Sequence, residues 1–206
     1  MMMPNLINTI ELAICLILPL ILFYKSSQWS TKKTVFYIPV LYGIWYLSYG
    51  VFHELSHLIG VWIFGKEIYN YQLISRFWEG QFGTGFVNYN YQADGQDFFI
   101  VALPYFRDLF LFGLGFILLT KNITKNAFVA GLLWIILVLS PLYDVLNNYL
   151  AFLLGSKNDF NALSESSNAF VSHFIGLSFS LTFGYLSILL LLKTQNYPNN
   201  QGAANN

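Results

Sequence analysis

The sequence predicts an all-α polytopic membrane protein, with about five transmembrane helices and a short membrane-associated β-hairpin between the second and the third. Three observations carry this. Only 10% of the 206 residues are charged while 56% are hydrophobic, whereas a soluble domain carries about 25% charged residues to coat its surface. The mean hydropathy is +0.53, and the apolar residues gather in runs of roughly the 20 residues that a bilayer-spanning helix needs. Between the second and third runs the composition changes to Tyr, Asn, Gln and Gly.

The elements follow in order. Residues 6–24 form the first run. Glu11 interrupts it and no basic leader precedes it, so it reads as a retained helix rather than a cleaved signal peptide. A polar loop with Lys25, Lys32 and Lys33 leads into residues 34–65, the second span, with Pro39 near its start, where proline is best tolerated. At about 1.5 Å per residue this span exceeds the roughly 30 Å apolar core, so tilting, bending or protrusion is expected. Residues 66–98 contain Gly83-Thr84-Gly85-Phe86-Val87-Asn88-Tyr89-Asn90-Tyr91, and aromatic and β-branched residues after glycines predict a strand or hairpin. Residues 101–120 are the third span, broken by Pro104 and by the pair Arg107-Asp108. After a tight turn at 121–125, residues 127–155 form the fourth span, with Ser140-Pro141-Leu142-Tyr143-Asp144 inside it. Residues 156–167 read as a polar loop and 168–192 as the fifth span, with His173 near its start. The whole of 1–192 reads as one integral membrane domain, and the Asn-, Gln- and Gly-rich tail 193–206 as disordered.

Several function classes drop out. The net charge of zero gives no basis for a nucleic-acid partner. The one cysteine, Cys15, lies in an apolar run, which removes disulfides and Cys-based metal sites. No internal repeat is visible and the spans are few, which speaks against a transporter. Loops on one side hold Lys25, Lys32, Lys33, Lys121, Lys125 and Lys193, and loops on the other hold Lys66, Arg76 and Lys157 among six acids. The positive-inside rule then places the amino terminus outside and the carboxyl terminus in the cytoplasm.

The chemistry concentrates in the second span, in His53-Glu54-Leu55-Ser56-His57. Residues four apart share a helix face, so both imidazoles can aim at one ion. Glu54 stands where a zinc hydrolase needs a carboxylate to take a proton from activated water. Charges within a membrane cost about 2.5–3.5 kcal/mol each on insertion scales and usually mark function, which makes their depth informative. His53 and Asp144 each fall about eleven residues before the end of their spans, roughly 16 Å at helical rise. Arg107, Asp108 and His173 belong to the same half of the membrane. Asp144 is therefore the favoured partner for the histidine pair, with Asp108 and His173 as alternatives. Asn148, one turn after Asp144, is placed to orient it or to stabilise an oxyanion.

On Phe52-His53-Glu54-Leu55-Ser56-His57 in a spanning helix, then a Gly-rich β-like stretch, a span, and a span with a lone aspartate, the chain resembles the site-2 protease family of intramembrane zinc metalloproteases, including its short bacterial relatives. The resemblance covers about residues 34–155. It implies one Zn²⁺ held by His53, His57 and Asp144, with Glu54 as the catalytic base. The family commonly shows Leu-Asp-Gly around its aspartate; here Tyr143 and Val145 flank Asp144, although the upstream Pro141 is kept. The implied function is zinc-dependent hydrolysis of peptide bonds in membrane-spanning substrates, in a bacterial cytoplasmic membrane. Gly83, Gly85, Phe86 and Val87 would then offer a strand edge to an unwound substrate segment; the same stretch also reads as an aromatic hairpin lying at the interface. The competing function is a non-proteolytic metal-binding scaffold or chaperone with the same fold.

Overall fold

The computed structural model describes residues 16–25, 32–74 and 85–195. The elements are α1 (Leu18–Lys25), α2 (Thr34–Ile63), β1 (Ile68–Gln72), β2 (Phe86–Tyr89), α3 (Gly95–Thr120), α4 (Ala127–Trp134), a π-helical turn (Ile135–Leu139), α5 (Ser140–Leu153), α6 (Asp159–Ser166) and α7 (Ala169–Gln195). Most of the first expected span, with Glu11 and Cys15, lies outside the described residues. So do Arg76, Gly83 and the end of the tail.

Among the described residues four helices are long and apolar enough to cross a membrane: Thr34–Ile63, Gly95–Thr120, Ala127–Leu153 and Ala169–Lys193. The protein is thus a helical membrane protein. Its outward side chains agree: Phe36, Trp62, Phe110 and Phe170 are 74, 65, 70 and 76% exposed, a waste of apolar area in water but not against lipid. The expected hairpin is present. β1 and β2 pair antiparallel in the register Asn70–Asn88, Tyr71–Val87 and Gln72–Phe86, with an irregularity between Ile68 and Asn70.

Three expectations are corrected. First, α3 begins at Gly95 rather than 101, because Asp94 caps it. The Asp94 Oδ1 accepts from the N–H groups of Gln96 and Asp97 at 2.9 Å each, and the Asp97 carboxylate accepts in return from the Asp94 N–H at 3.3 Å. This is the reciprocal box that satisfies a helix's first donors. Second, α3 runs unbroken through Pro104; spanning helices tolerate proline because neighbours re-satisfy the freed backbone groups. Third, the loop at 156–167 contains a helix, α6. Asn158 caps it and Asn161 returns the bond, while Phe160 and Leu163, one turn apart, are fully buried. The fifth expected span also continues to Gln195.

The chain divides into two compact units. The first takes residues 16–25, 32–43, 108–147 and 179–195, and its core is aromatic. Phe23 stacks on Trp134 (centroids 5.1 Å apart, 12°) and Phe112 on Phe183 (4.3 Å, 5°). The second takes residues 44–74, 85–107 and 148–178, and holds the hairpin strands, α6 and the histidine motif. Its core includes a ring cluster in which Phe160 meets Tyr105, Tyr149 and Phe152 at 5.0, 5.4 and 6.1 Å.

Candidate metal centre

The second unit assembles the site from three helices. α2 supplies His53, Glu54 and His57, all under 8% exposed. Their spacing on one face brings His53 Nε2 within 3.2 Å of His57 Nε2. α6 supplies Asp159 at its first position. Its Oδ2 lies 3.0 Å from His53 Nε2 and 3.3 Å from His57 Nε2. α3 supplies Tyr105, 1% exposed, whose hydroxyl donates to the same Oδ2 at 3.2 Å. Among the described residues, His53, His57 and Asp159 are the group of three whose ligand atoms converge.

The donor set fits a divalent ion in spacing and chemistry. The triangle of ligand atoms has edges of 3.0, 3.2 and 3.3 Å. A tetrahedral zinc site with bonds of about 2.0–2.1 Å has ligand-to-ligand edges of about 3.3–3.4 Å. Two imidazoles and one carboxylate suit zinc among the common ions. The tautomer of His57 is also fixed. Its Nδ1 lies 3.1 Å from the Ile100 carbonyl oxygen, and a carbonyl only accepts, so Nδ1 carries the proton and Nε2 of the neutral ring keeps its lone pair for an ion. Asp159 is ready as a ligand too. Before an ion binds, burial pushes its pKa up, but the charge His57 carries when protonated and the hydrogen bonds from His53 and His57 outweigh this and hold it well below the usual carboxylate range.

α6 is anchored on several sides. Asn158 Nδ2 donates to the Asn148 carbonyl at 2.6 Å. Tyr91, after β2, donates its hydroxyl to the Ala162 carbonyl at 3.1 Å, and Phe160 fills the ring cluster beside Asp159. On α2, the Ser56 hydroxyl bonds the Phe52 carbonyl at 2.8 Å and accepts from Arg107 Nη1 at 3.2 Å, tying the motif helix to α3.

The expected site residues distribute as follows. His53 and His57 come together, and Glu54 sits beside them on α2. The carboxylate that joins the pair is Asp159, which sequence reasoning placed in a loop and did not weigh. Asp144 is fully buried on α5 and Asp108 is 1% exposed on α3; both belong to the first unit. Asn148 contributes its backbone carbonyl to the anchoring of α6. His173 is exposed on α7, with Nδ1 3.2 Å from the Tyr149 hydroxyl. Gly85, just before β2, packs against the motif helix: a Cβ there would lie 2.8 Å from Glu54 Cγ, so only glycine lets the strand approach this closely. Phe86 and Val87 continue from it into β2, paired with Gln72 and Tyr71. Of the family models, characterised proteins and solved structures compared with the chain, none matches it.

Proposed function

We propose that the protein is an intramembrane zinc metalloendopeptidase acting on membrane-spanning peptides, with His53, His57 and Asp159 as the protein's metal ligands and Glu54 as the catalytic base. One observation carries this reading: a His-Glu-x-x-His pair on a helix of membrane-crossing length converges with a carboxylate, the three ligand atoms 3.0–3.3 Å apart. Three protein ligands leave one position open, the composition of a catalytic rather than a closed structural site. A divalent ion held there supplies a Lewis acid and brings the acidity of water towards neutrality. Glu54 takes the proton from the attacking water and returns it to the nitrogen of the leaving amine. The second acidic candidate, Asp144, keeps the support of its depth in the sequence and of the family resemblance. The strand edge that begins at Gly85, in contact with Glu54, suits an unwound, extended stretch of substrate.

The test pairs metal content with cleavage of a model transmembrane substrate in detergent or vesicles. Glu54→Gln is expected to retain zinc and lose about 10²–10⁴-fold in cleavage rate, the usual size of a general-base contribution. Asp159→Ala is expected to lose stoichiometric zinc. Unaffected cleavage in Glu54→Gln sinks the peptidase reading. Full zinc in Asp159→Ala, with loss in Asp144→Ala, returns the third ligand to Asp144. Zinc binding by a wild-type protein that cleaves nothing favours the scaffold.

A further inference from the structure

We propose that Pro104 is a positioning residue for His57: by having no N–H it frees the carbonyl that orients this imidazole. In an α-helix the N–H of residue 104 would bond the carbonyl of residue 100. Proline removes that donor, and the carbonyl of Ile100, a fully buried residue in the second turn of α3, needs another. His57 provides it, donating from Nδ1 at 3.1 Å. The exchange serves both helices. The carbonyl is satisfied without water, and the ring is held in the tautomer whose Nε2 faces His53 and Asp159.

A second feature brings the two groups within reach. Gly60 lies one turn after His57 on α2. A Cβ at Gly60 would stand 3.1 Å from Ile100 Cα and 3.4 Å from Ile100 Cγ1, so the absence of a side chain lets the α2 backbone close onto α3 at Ile100. Ile100 is itself fully buried. The three residues form one device: Gly60 sets the approach, Pro104 releases the acceptor, and the Ile100 carbonyl takes the proton of His57.

The inference rests on the metal-site reading for its purpose but not for its geometry, and its test separates the two. Pro104→Ala restores an N–H that competes for the Ile100 carbonyl. The chain has three histidines, few enough to resolve by ¹⁵N NMR of histidine-labelled protein. In metal-free Pro104→Ala, with the imidazole neutral, the Nδ1–H population of His57 is expected to fall relative to wild type. The zinc Kd, measured by chelator competition, is expected to rise about 3- to 10-fold, below the 10–100-fold of complete loss of such a partner because the carbonyl can be shared. A helix that is merely better packed would move neither reading. An unchanged tautomer population overturns the inference, as does an unchanged Kd. If wild type takes up no zinc, the metal reading has failed, and the tautomer comparison alone decides on Pro104.

Discussion

Two helices of this chain carry the same backbone arrangement and put it to different use. In the second unit, Pro104 frees the carbonyl of Ile100, and Gly60 of α2 closes onto that residue. In the first unit, Pro141 removes the helical partner of the Leu137 carbonyl, within the span where the π-helical turn Ile135–Leu139 passes into α5. Gly115 of α3 closes onto Leu137 there: a Cβ would stand 2.6 Å from Leu137 Cβ and 3.0 Å from its carbonyl oxygen. A π turn also widens the backbone ring, with the Ser140 N–H reaching Ile135 rather than the carbonyl four back. In both cases a glycine-bearing neighbour packs closely against the residue four before the proline, the small-residue packing that membranes favour. The difference is what stands one turn before the glycine. At Gly60 it is His57, and a packing solution becomes a ligand-orienting one. At Gly115 it is Phe112, which stacks on Phe183.

The sharpest way to break this comparison is to add one methyl group at each glycine. Gly115→Ala meets Leu137 where neither the Cβ nor the carbonyl can give way. It is expected to lower stability by about 2–3 kcal/mol, in the upper part of the overpacking range, while the folded protein keeps its zinc Kd within twofold. Gly60→Ala has a looser fit and is expected to cost about 1 kcal/mol. It should nevertheless weaken zinc several-fold, because a shift of a few tenths of an ångström falls on the 3.1 Å bond of His57. Unfolding curves and chelator competition on both variants check this. Equal loss of zinc affinity in the two would show that the first-unit packing matters to the site as much as the second.

The same contrast explains how far the sequence could be read. The long apolar runs declare the spans, because length and hydropathy are all a bilayer demands, and the four-residue spacing of His53 and His57 is meaningful on any helix. Asp159 could not be found this way. It sits between Asn158 and Phe160 in a polar stretch, where an acid is ordinarily a solvated group, and only the fold brings it to the histidines. A signal was present. Asn158 and Asn161 can box a helix start, and Phe160 and Leu163 mark a buried face on that helix, with an acid in its first turn. Depth favours Asp144 among the acids within the spans, but helical rise gives only a level within a span, so this argument could not weigh Asp159, which lies outside them. The start of α3 was missed for a similar reason, since Asp94 and Asp97 read as loop charges until their capping bonds are seen.

The hairpin makes a second test, of what holds the polar unit together. Lys66, just before β1, bonds Asp97 Oδ1 at 2.6 Å and Asp94 at 3.1 and 3.2 Å, and Asp97 is fully buried. Lys66→Met leaves that carboxylate with backbone donors alone, and is expected to cost about 2–3 kcal/mol, somewhat below the usual loss on breaking a buried pair. Proteolysis between β1 and β2 should quicken. The pH range of the clamp follows from its charges. The backbone N–H of Asp97, together with Lys66, lowers the pKa of Asp94 below 3.8, so its contribution is present above 3.8 and fades as pH falls through the lowered value. Burial lowers Lys66, but the bonds and charges of Asp97 and Asp94 outweigh it and raise it above 10.5. Its share is complete below 10.5 and fades as pH rises through the raised value. Tyr89, near Asp97, stays neutral throughout, since burial and that charge push its phenol far up. Protease resistance of the hairpin should therefore be flat between these limits, and a step near neutrality would point to a histidine instead.

A further contrast lies one residue beyond Pro104. Tyr105 donates to Asp159 Oδ2 at 3.2 Å, and its ring lies between His53 (6.4 Å, 79°) and Phe160 (5.0 Å). A carboxylate oxygen has two lone pairs. With one held by the phenol, the other is directed to the histidine nitrogens. Tyr105→Phe keeps the ring and removes this hydrogen bond. Zinc affinity should fall about tenfold, the lower end for an outer partner of a metal ligand, or about 1.4 kcal/mol. Stability of the metal-free protein should change by no more than about 1 kcal/mol, the usual net worth of a hydrogen bond. Chelator competition against metal-free unfolding separates the two. If the loss appears in metal-free stability and not in zinc affinity, Tyr105 holds α6 in place and does not tune the ligand, and the second unit's polar contacts would then be packing of the same kind as the stacked rings of the first.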